Sequence, residues 1–174
     1  SPQRHSKITS SGITFAGARL MRLYLDTEFT QLNPLTYQLI SLALVSEDGQ
    51  EFYVELVDNW TEDECSDFTR SIVLPQLDLP RYGRSTEQAR RELLSFLSLI
   101  GHAEIISDAM NWDWPLLLGL AGSKGLPEGI EAGSIPAGMQ GDIGDLDDAP
   151  HHALLDARQL AAIVEHHIHS PGTV

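Results

Sequence analysis

The sequence predicts one α/β domain in which helices cover a mixed β-sheet. Three observations support this prediction. The length of 174 residues matches the usual size of a single domain. Hydrophobic residues make up 42% of the chain, which is enough for a buried core and excludes global disorder. Segments typical of strands come first and then alternate with segments typical of helices, in the order βββαβαα.

The first three strands are predicted from segments rich in Leu, Ile, Val, Tyr and Phe. These segments occupy residues 22–29, 38–45 and 51–57. The Asp48-Gly49 pair between the second and the third segment is a strong hairpin signal. Three successive strands, two of them joined by a hairpin, indicate antiparallel pairing at the start of the sheet.

The next elements alternate between helix and strand. A helix is predicted over 85–100, because it begins with a Ser-x-x-Gln capping box and carries apolar side chains at helical spacing. Residues 104–107 form a short apolar run that predicts a further strand. A second helix is predicted over 112–120, with Pro115 tolerated in its first turn.

Composition sets three other segments apart. Residues 124–150 include nine Gly or Pro among 27 residues, which predicts an unusually long loop of a kind that is usually functional or disordered. A final helix is predicted from about residue 151 or 152 to 167, with Glu165 on its solvent-facing side. Residues 1–20 contain no acidic residue, and we interpret them as a vector leader or upstream extension before a single domain at 21–174.

Charge and cysteine content exclude several classes of protein. Lys and Arg number 11 and Asp and Glu number 25, so the formal net charge is −14, which argues against nucleic-acid binding by a broad basic surface. The single cysteine excludes an internal disulfide and a multi-cysteine zinc site, and it indicates a reducing compartment. No apolar run approaches the roughly 18 residues of a membrane span.

The first candidate chemical motif is Asp-Thr-Glu-Phe at 26–29. In a strand, residues i and i+2 point to one face about 6.7 Å apart, so Asp26 and Glu28 project two carboxylates from the same side. Desolvating them together costs on the order of several kcal/mol unless a cation compensates. All-oxygen ligands select hard ions such as Mg²⁺ or Mn²⁺. The alternative is an exposed strand end where both acids are simply solvated.

Two further motifs place acids and a histidine at helix starts. Asp113 begins the second predicted helix, where a carboxylate also complements the helix dipole, and Asp108 competes with it for a ligand role. The run Pro-His-His-Ala-Leu-Leu-Asp-Ala places His151 five residues before Asp156. A histidine titrates near neutrality and can therefore accept a proton in one step and release it later. Taken alone, each motif is also explained by a capping role.

Taken together, the three motifs resemble those of the DEDDh 3′–5′ exonucleases, which have an RNase H-like fold. LxLDTEF, a middle acid entering a helix and HxALLDA occur in the family's order and cover essentially all of 21–174. The resemblance implies a hydrolase that removes nucleotides from the 3′ end of single-stranded nucleic acid by a two-metal-ion mechanism. The DTEF motif followed by an SEDGxEFY hairpin is most similar to a small bacterial and phage branch of exoribonucleases, which favours RNA over DNA.

The resemblance also assigns roles to individual residues. It implies that the ligands of two Mg²⁺ or Mn²⁺ ions are Asp26, Glu28, Asp113 and Asp156. The H-x4-D spacing of the family selects His151 over His152 as the general base. The candidate substrate contacts are Thr27, Phe29 and Trp112, although Phe29 is equally suited to core packing and a residue such as Trp112 is more often found in the core. The middle motif departs from the family's Asn-x3-Asp, so the choice of Asp113 over Asp108 rests on the Trp-Pro-Leu-Leu-Leu that follows it.

Two alternative functions are open at this point. One is a DNA proofreading or repair exonuclease, and the other is a nucleic-acid-binding module of the same fold without activity. The complete set of four acids and a histidine argues against the second. The lack of a recognisable signal peptide, the single cysteine and the resemblance together predict a cytoplasmic protein. Many relatives of this fold are dimers, so both a monomer and a homodimer are open. Few basic residues are available to bind a nucleic-acid strand: Arg22, Arg81, Arg84, Lys124 and Arg158. We therefore expect the protein to contact only a short stretch at the 3′ end of its substrate and to have low processivity.

Overall fold

The computed structural model describes residues 19–139 and 149–170. Six strands form one sheet: β1 Met21–Phe29, β2 Leu39–Ser46, β3 Glu51–Leu56, β4 Gly83–Arg84, β5 Ala103–Ile106 and β6 Ile130–Ala132. The helices are α1 Leu79–Tyr82, α2 Thr86–Ile100, α3 Met110–Ala121 and α4 Ala153–His169. Residues 1–18, 140–148 and 171–174 lie outside this description, so the predicted leader and part of the predicted loop are not covered by it.

The sheet is mixed, as the sequence predicts. Its strand order is β4-β3-β2-β1-β5-β6. β1, β2 and β3 pair antiparallel, whereas β5 pairs parallel with β1, and β6 pairs parallel with β5. The hairpin between β2 and β3 turns at Gly49, whose φ of 90° is the left-handed conformation that glycine adopts without a steric penalty. The predicted α/β architecture with three antiparallel strands at its start is therefore confirmed.

Two apolar cores lie on opposite faces of the sheet. Leu23 and Leu25 of β1 pack with α2 and α3, and Tyr24 packs with α4. Because side chains alternate between the two faces of a strand, Asp26 and Glu28 follow Tyr24 onto the α4 side. This alternation places the two carboxylates beneath the helix that carries Asp156.

Some of the predicted boundaries are wrong. The segment 124–150 is not entirely loop, because β6 forms within it by parallel pairing with β5. α3 begins at Met110 rather than at residue 112, so Pro115 lies inside the helix rather than in its first turn. The exposed segment between β3 and α2, for which no element was predicted, contains short helical turns, α1 and β4. These short elements depend on distant partners, which local periodicity does not report.

A buried ion-pair network joins β1 to α4. The Arg22 guanidinium donates to both carboxylate oxygens of Glu165 at 2.7 and 2.8 Å, and to Glu47 at 3.1 Å. The Tyr24 hydroxyl also donates to Glu165. Two predictions are therefore wrong: Arg22 is not free to contact a nucleic-acid strand, and Glu165 does not lie on the solvent-facing side of α4. Arg84 and Arg158 are also paired, with Glu92 and Glu51 respectively.

Arg22→Met should destabilise the fold strongly, because it leaves the nearly buried Glu165 carboxylate without its arginine partner. We expect the free energy of unfolding, measured by urea titration, to fall by about 3 kcal/mol. The control is Arg91→Met, which removes an exposed i,i+4 pair with Glu87 and should change the same quantity by less than about 0.5 kcal/mol. Equal effects from the two substitutions would contradict a structural role for the network.

The end of the predicted extension contacts the domain. Arg19, which belongs to the predicted extension, donates to the two oxygens of Glu47 at 2.7 and 2.6 Å. The boundary between residues 20 and 21 stays a prediction.

Across the described residues, none of the helices combines the length and apolarity that crossing a bilayer requires.

Candidate functional site

The structure gathers the predicted carboxylates into one cluster on the α4 side of the sheet. One set comprises Asp26, Glu28 and Asp156, each contributing an oxygen that lies within 4.8 Å of the other two. A second set, with the same spacing, comprises Asp26, Asp108 and Asp113. Asp26 belongs to both sets, so a single carboxylate on β1 links two positions at which a cation could bind.

Two oxygens of this cluster lack any internal partner. Asp26 Oδ2 and Asp156 Oδ1 are buried and accept no hydrogen bond from the described residues. A buried polar atom without a partner is rare in native proteins, because its lost hydration is not replaced. An ionised carboxylate in that position is more costly still. The orphaned oxygens are therefore what an internal divalent cation would satisfy.

Burial and mutual repulsion raise the pKa of four carboxyl groups in the cluster. Burial, followed by the charge of Asp113, raises the pKa of Asp26 well above its usual range. Burial and the nearby Asp156 raise the pKa of Glu28 to about 8. Burial raises the pKa of Asp113 to about 7 and that of Asp156 to about 6. Without a cation, the cluster retains protons at neutral pH.

Two hydroxyl groups fix the Asp113 carboxylate. Thr27 Oγ1 donates to Asp113 Oδ1 at 2.6 Å, and Ser107 Oγ donates to Asp113 Oδ2 at 2.5 Å. Each carboxylate oxygen has two acceptor positions, so both can still face a cation. Asp113 is only 1% exposed, whereas Asp108 is exposed. The structure thus places both candidate middle ligands beside Asp26. The hydrogen bonds from Thr27 and Ser107 to Asp113 were not predicted from the sequence.

The two adjacent histidines have different surroundings. His151 lines the same cavity as Asp26, Glu28 and Asp156. His152 caps α4, with Nδ1 accepting from the Leu155 N–H at 3.5 Å. Its Nε2 lies 3.2 Å from the Tyr53 hydroxyl, and burial lowers the pKa of His152. Only the first histidine faces the carboxylates, and this is the one that the family spacing selects.

The cavity beside the carboxylates has a volume of about 470 Å³. The cavity is also lined by apolar and hydroxyl side chains from the end of β1, from the β1–β2 loop and from the segment after β3: Phe29, Leu32, Ser66, Phe68, Thr69 and Val73. Leu32 and Phe68 are unusually exposed for large apolar residues, at 76% and 51%. The carboxylates of the cavity can therefore bind cations, and its apolar side chains can contact a base or sugar. The segment after β3 gave no sequence signal for this role.

The predicted aromatic contacts form a cluster at the edge of the cavity. The rings of Phe29 and Trp112 are stacked, with centroids 5.5 Å apart and an interplanar angle of 9°. Tyr37 lies edge-on to both, and its hydroxyl donates to the Trp112 carbonyl at 3.0 Å. Of the described residues in this cluster, Phe29 reaches the cavity wall, whereas Trp112 is not among the residues that line it. Trp112 therefore packs against the ring of Phe29 without lining the cavity itself.

Comparison with known proteins adds one sequence relationship. Two curated proteins of Mycobacterium tuberculosis, from strains H37Rv and CDC 1551, are both named 3′–5′ exoribonuclease, and each is 34% identical to this chain over 97 residues. The match covers 54% of this chain and 54% of each relative, so the chain spans about half the length of the curated relatives it matches. No family model matches the chain.

One solved structure also aligns with part of the chain. It is a family B DNA polymerase from the archaeon Pyrobaculum calidifontis, at 22% identity and a TM-score of 0.36. The alignment covers 63% of this chain and 12% of the polymerase. The two sequence relatives show that the chain is similar, over about half its length, to proteins named 3′–5′ exoribonuclease.

Proposed function

We propose that this chain is a metal-dependent 3′–5′ exonuclease, specifically an exoribonuclease that acts on single-stranded RNA. One observation carries the proposal: buried carboxylates from β1, α3 and α4 converge beside a cavity that His151 also lines. The exoribonuclease names of the two partial relatives support the same reaction and favour RNA over DNA.

The donor set fits two hard divalent cations. Asp26, Glu28 and Asp156 would hold one ion, and Asp26 with Asp113 would hold the other, with Asp108 in reach as an additional or alternative ligand. Oxygen ligands alone favour Mg²⁺ or Mn²⁺ over zinc or copper. When bound, such ions neutralise the negative charge that develops on a phosphodiester during hydrolysis. Four carboxylates also balance the charge of two divalent ions.

The protein's own residues supply the remaining parts of the reaction. His151 accepts the proton of the attacking water, and general-base catalysis of this kind contributes about 10²–10⁴-fold to the rate. Thr27 and Ser107 hold Asp113 in a fixed orientation through its two oxygens. Phe29 offers an apolar surface to the terminal nucleoside, and its ring is kept in place by Tyr37 and Trp112.

The end specificity can be tested with four oligonucleotides: RNA and DNA of one sequence, each with a free or a blocked 3′ end. We expect release of mononucleotides from the free ends only, faster from RNA than from DNA, and abolished by EDTA. Equal rates on DNA and RNA would favour the proofreading or repair alternative. Degradation of blocked substrates, or activity in excess EDTA, would contradict the proposal.

Substrate affinity should depend only weakly on salt, because few cationic side chains are available to phosphates. Among the described residues, Arg22 is held in a nearly buried ion pair, and Arg84 and Arg158 are each paired with a glutamate at the surface. Each phosphate contact to a single strand contributes a slope of about −0.7 in log affinity against log salt. We expect a slope between about 0 and −1.5 for RNA binding, and distributive release of products. A slope of about −4 or steeper would require a basic path that these residues do not provide.

A further inference from the structure

The backbone at His151 adopts a conformation that is uncommon for a residue with a Cβ atom. Its φ is 57°, and His151 is the one non-glycine residue with a positive φ in the described part of the chain. For an L-residue with a Cβ, the left-handed region is disfavoured, because the Cβ atom comes too close to the following carbonyl oxygen. Such conformations persist where surrounding contacts determine them, and they cluster at functional sites.

The Gln76 side chain holds the peptide that precedes His151. Its Nε2 donates to the Pro150 carbonyl at 2.7 Å and lies 3.5 Å from the His151 carbonyl. The same nitrogen donates to the Ile72 carbonyl at 2.8 Å. A primary amide nitrogen has two N–H groups. One of them therefore anchors the amide to its own turn, and the other fixes the chain that enters α4.

The same segment also contacts the imidazole ring. Phe68 lies edge-on to His151, with ring centroids 4.9 Å apart and an interplanar angle of 88°. Phe68 and Gln76 both belong to the run of short turns between β3 and α1. This run therefore fixes the backbone of His151 through one residue and restricts its ring through another, although it is about 75 residues away in sequence.

We propose that Gln76 is a positioning residue for the reaction: it sets the left-handed backbone of His151 and thereby aims the imidazole at the attacking water. This inference rests on the proposed function, in which His151 is the general base. A catalytic group displaced by about 1 Å can lose about 100-fold in rate, so one amide hydrogen bond is enough to matter. The inference assigns a role to a segment in which the sequence showed no functional motif.

The test uses Gln76→Ala and Gln76→Met, the second of which keeps the side-chain length and removes the donor. We expect kcat for RNA hydrolysis to fall roughly 10- to 100-fold in both, with KM changed by less than about threefold. In a His151→Ala background, the same substitutions should cause no further loss, because the group they position is absent. The control is Gln159→Ala on the exposed side of α4, which should keep wild-type kcat.

A spectroscopic measurement separates positioning from general stability. In the isotopically labelled full chain without metal, the Cα chemical shift and the amide–Hα coupling of His151 report its φ. We expect Gln76→Met to move both away from left-handed values while the thermal midpoint shifts by only a few degrees. Unchanged His151 signals in Gln76→Met would overturn the inference, whatever the activity.

The kinetic outcomes distinguish failure of this inference from failure of the proposed function. If His151→Ala is inactive but both Gln76 variants keep wild-type kcat, only the positioning role is overturned. If the Gln76 effect is as large in the His151→Ala background as in the wild type, Gln76 acts elsewhere and the role is again overturned. If His151→Ala itself keeps full activity, the general base is wrong, and this inference falls with it.

Discussion

His151→Ala should lower kcat for RNA hydrolysis by about 10²–10⁴-fold, which is the usual contribution of a general base. His151 lines the cavity with the carboxylates, so its loss removes the proton acceptor without removing a metal ligand. We therefore expect Mn²⁺ affinity to stay within a few-fold of wild type.

The neighbouring histidine provides the matched control. His152→Ala removes the side-chain cap of α4 and the contact with Tyr53. It should lower the free energy of unfolding by about 1 kcal/mol while leaving kcat within a few-fold of wild type. If His152→Ala abolishes hydrolysis and His151→Ala does not, the general base has been assigned to the wrong histidine.

The metal-free protein should become less stable as pH rises from about 5 to 8, and divalent cations should remove this dependence. A carboxyl group whose pKa is raised in the folded state binds its proton more tightly there than in the unfolded chain. Ionising it therefore lowers the free energy of unfolding between the unfolded and folded pKa values. Glu28, with a pKa raised to about 8, and Asp113, with a pKa raised to about 7, place this window across neutrality.

The expected size of the effect is at least about 3 kcal/mol between pH 5 and pH 8, since each unit of pKa shift corresponds to about 1.4 kcal/mol. Urea titrations at several pH values, with EDTA or with Mg²⁺, would measure it. Addition of Mg²⁺ should stabilise the protein more at pH 8 than at pH 5, because the cation binds the ionised cluster.

Variants of the cluster show whether this pH dependence comes from the site. Glu28→Gln should flatten the profile of the metal-free protein and reduce the stabilisation by Mg²⁺. Glu131→Gln, an exposed acid on β6, should leave both unchanged. A metal-free protein that is equally stable at pH 5 and pH 8 would show that the carboxylates are not coupled as their geometry indicates.

Much of the fold was predictable because its signals are local. Strand alternation, the Asp48-Gly49 turn and the capping box at α2 each lie within a few residues of sequence, and each element formed where it was predicted. The same alternation placed Asp26 and Glu28 on one face. The short strands β4 and β6 were missed because two or three residues carry too little pattern, and their pairing partners lie far along the chain.

The details of the site that were missed depend on distant contacts. Arg22 is near the start of a strand, where a charged side chain is usually solvated, and its partner Glu165 is 143 residues away. Ser107 gave no signal beyond being a small polar residue, yet its hydroxyl fixes Asp113. Gln76 lies in a segment without periodicity. Sequence patterns identify residues that carry charge in an apolar context, but they do not identify the neutral residues that orient them.

The central claim is that cations held at Asp26 enable this chain to hydrolyse RNA. The most direct test is a Mn²⁺ titration of the wild type and of Asp26→Asn, in which bound ions are counted by electron paramagnetic resonance and RNA hydrolysis is measured in the same samples. We predict two ions per wild-type chain and hydrolysis that rises with their occupancy. In Asp26→Asn, we predict that ion binding and hydrolysis are both lost. Hydrolysis at the wild-type rate by Asp26→Asn, or by wild-type protein with no bound Mn²⁺, would contradict the claim.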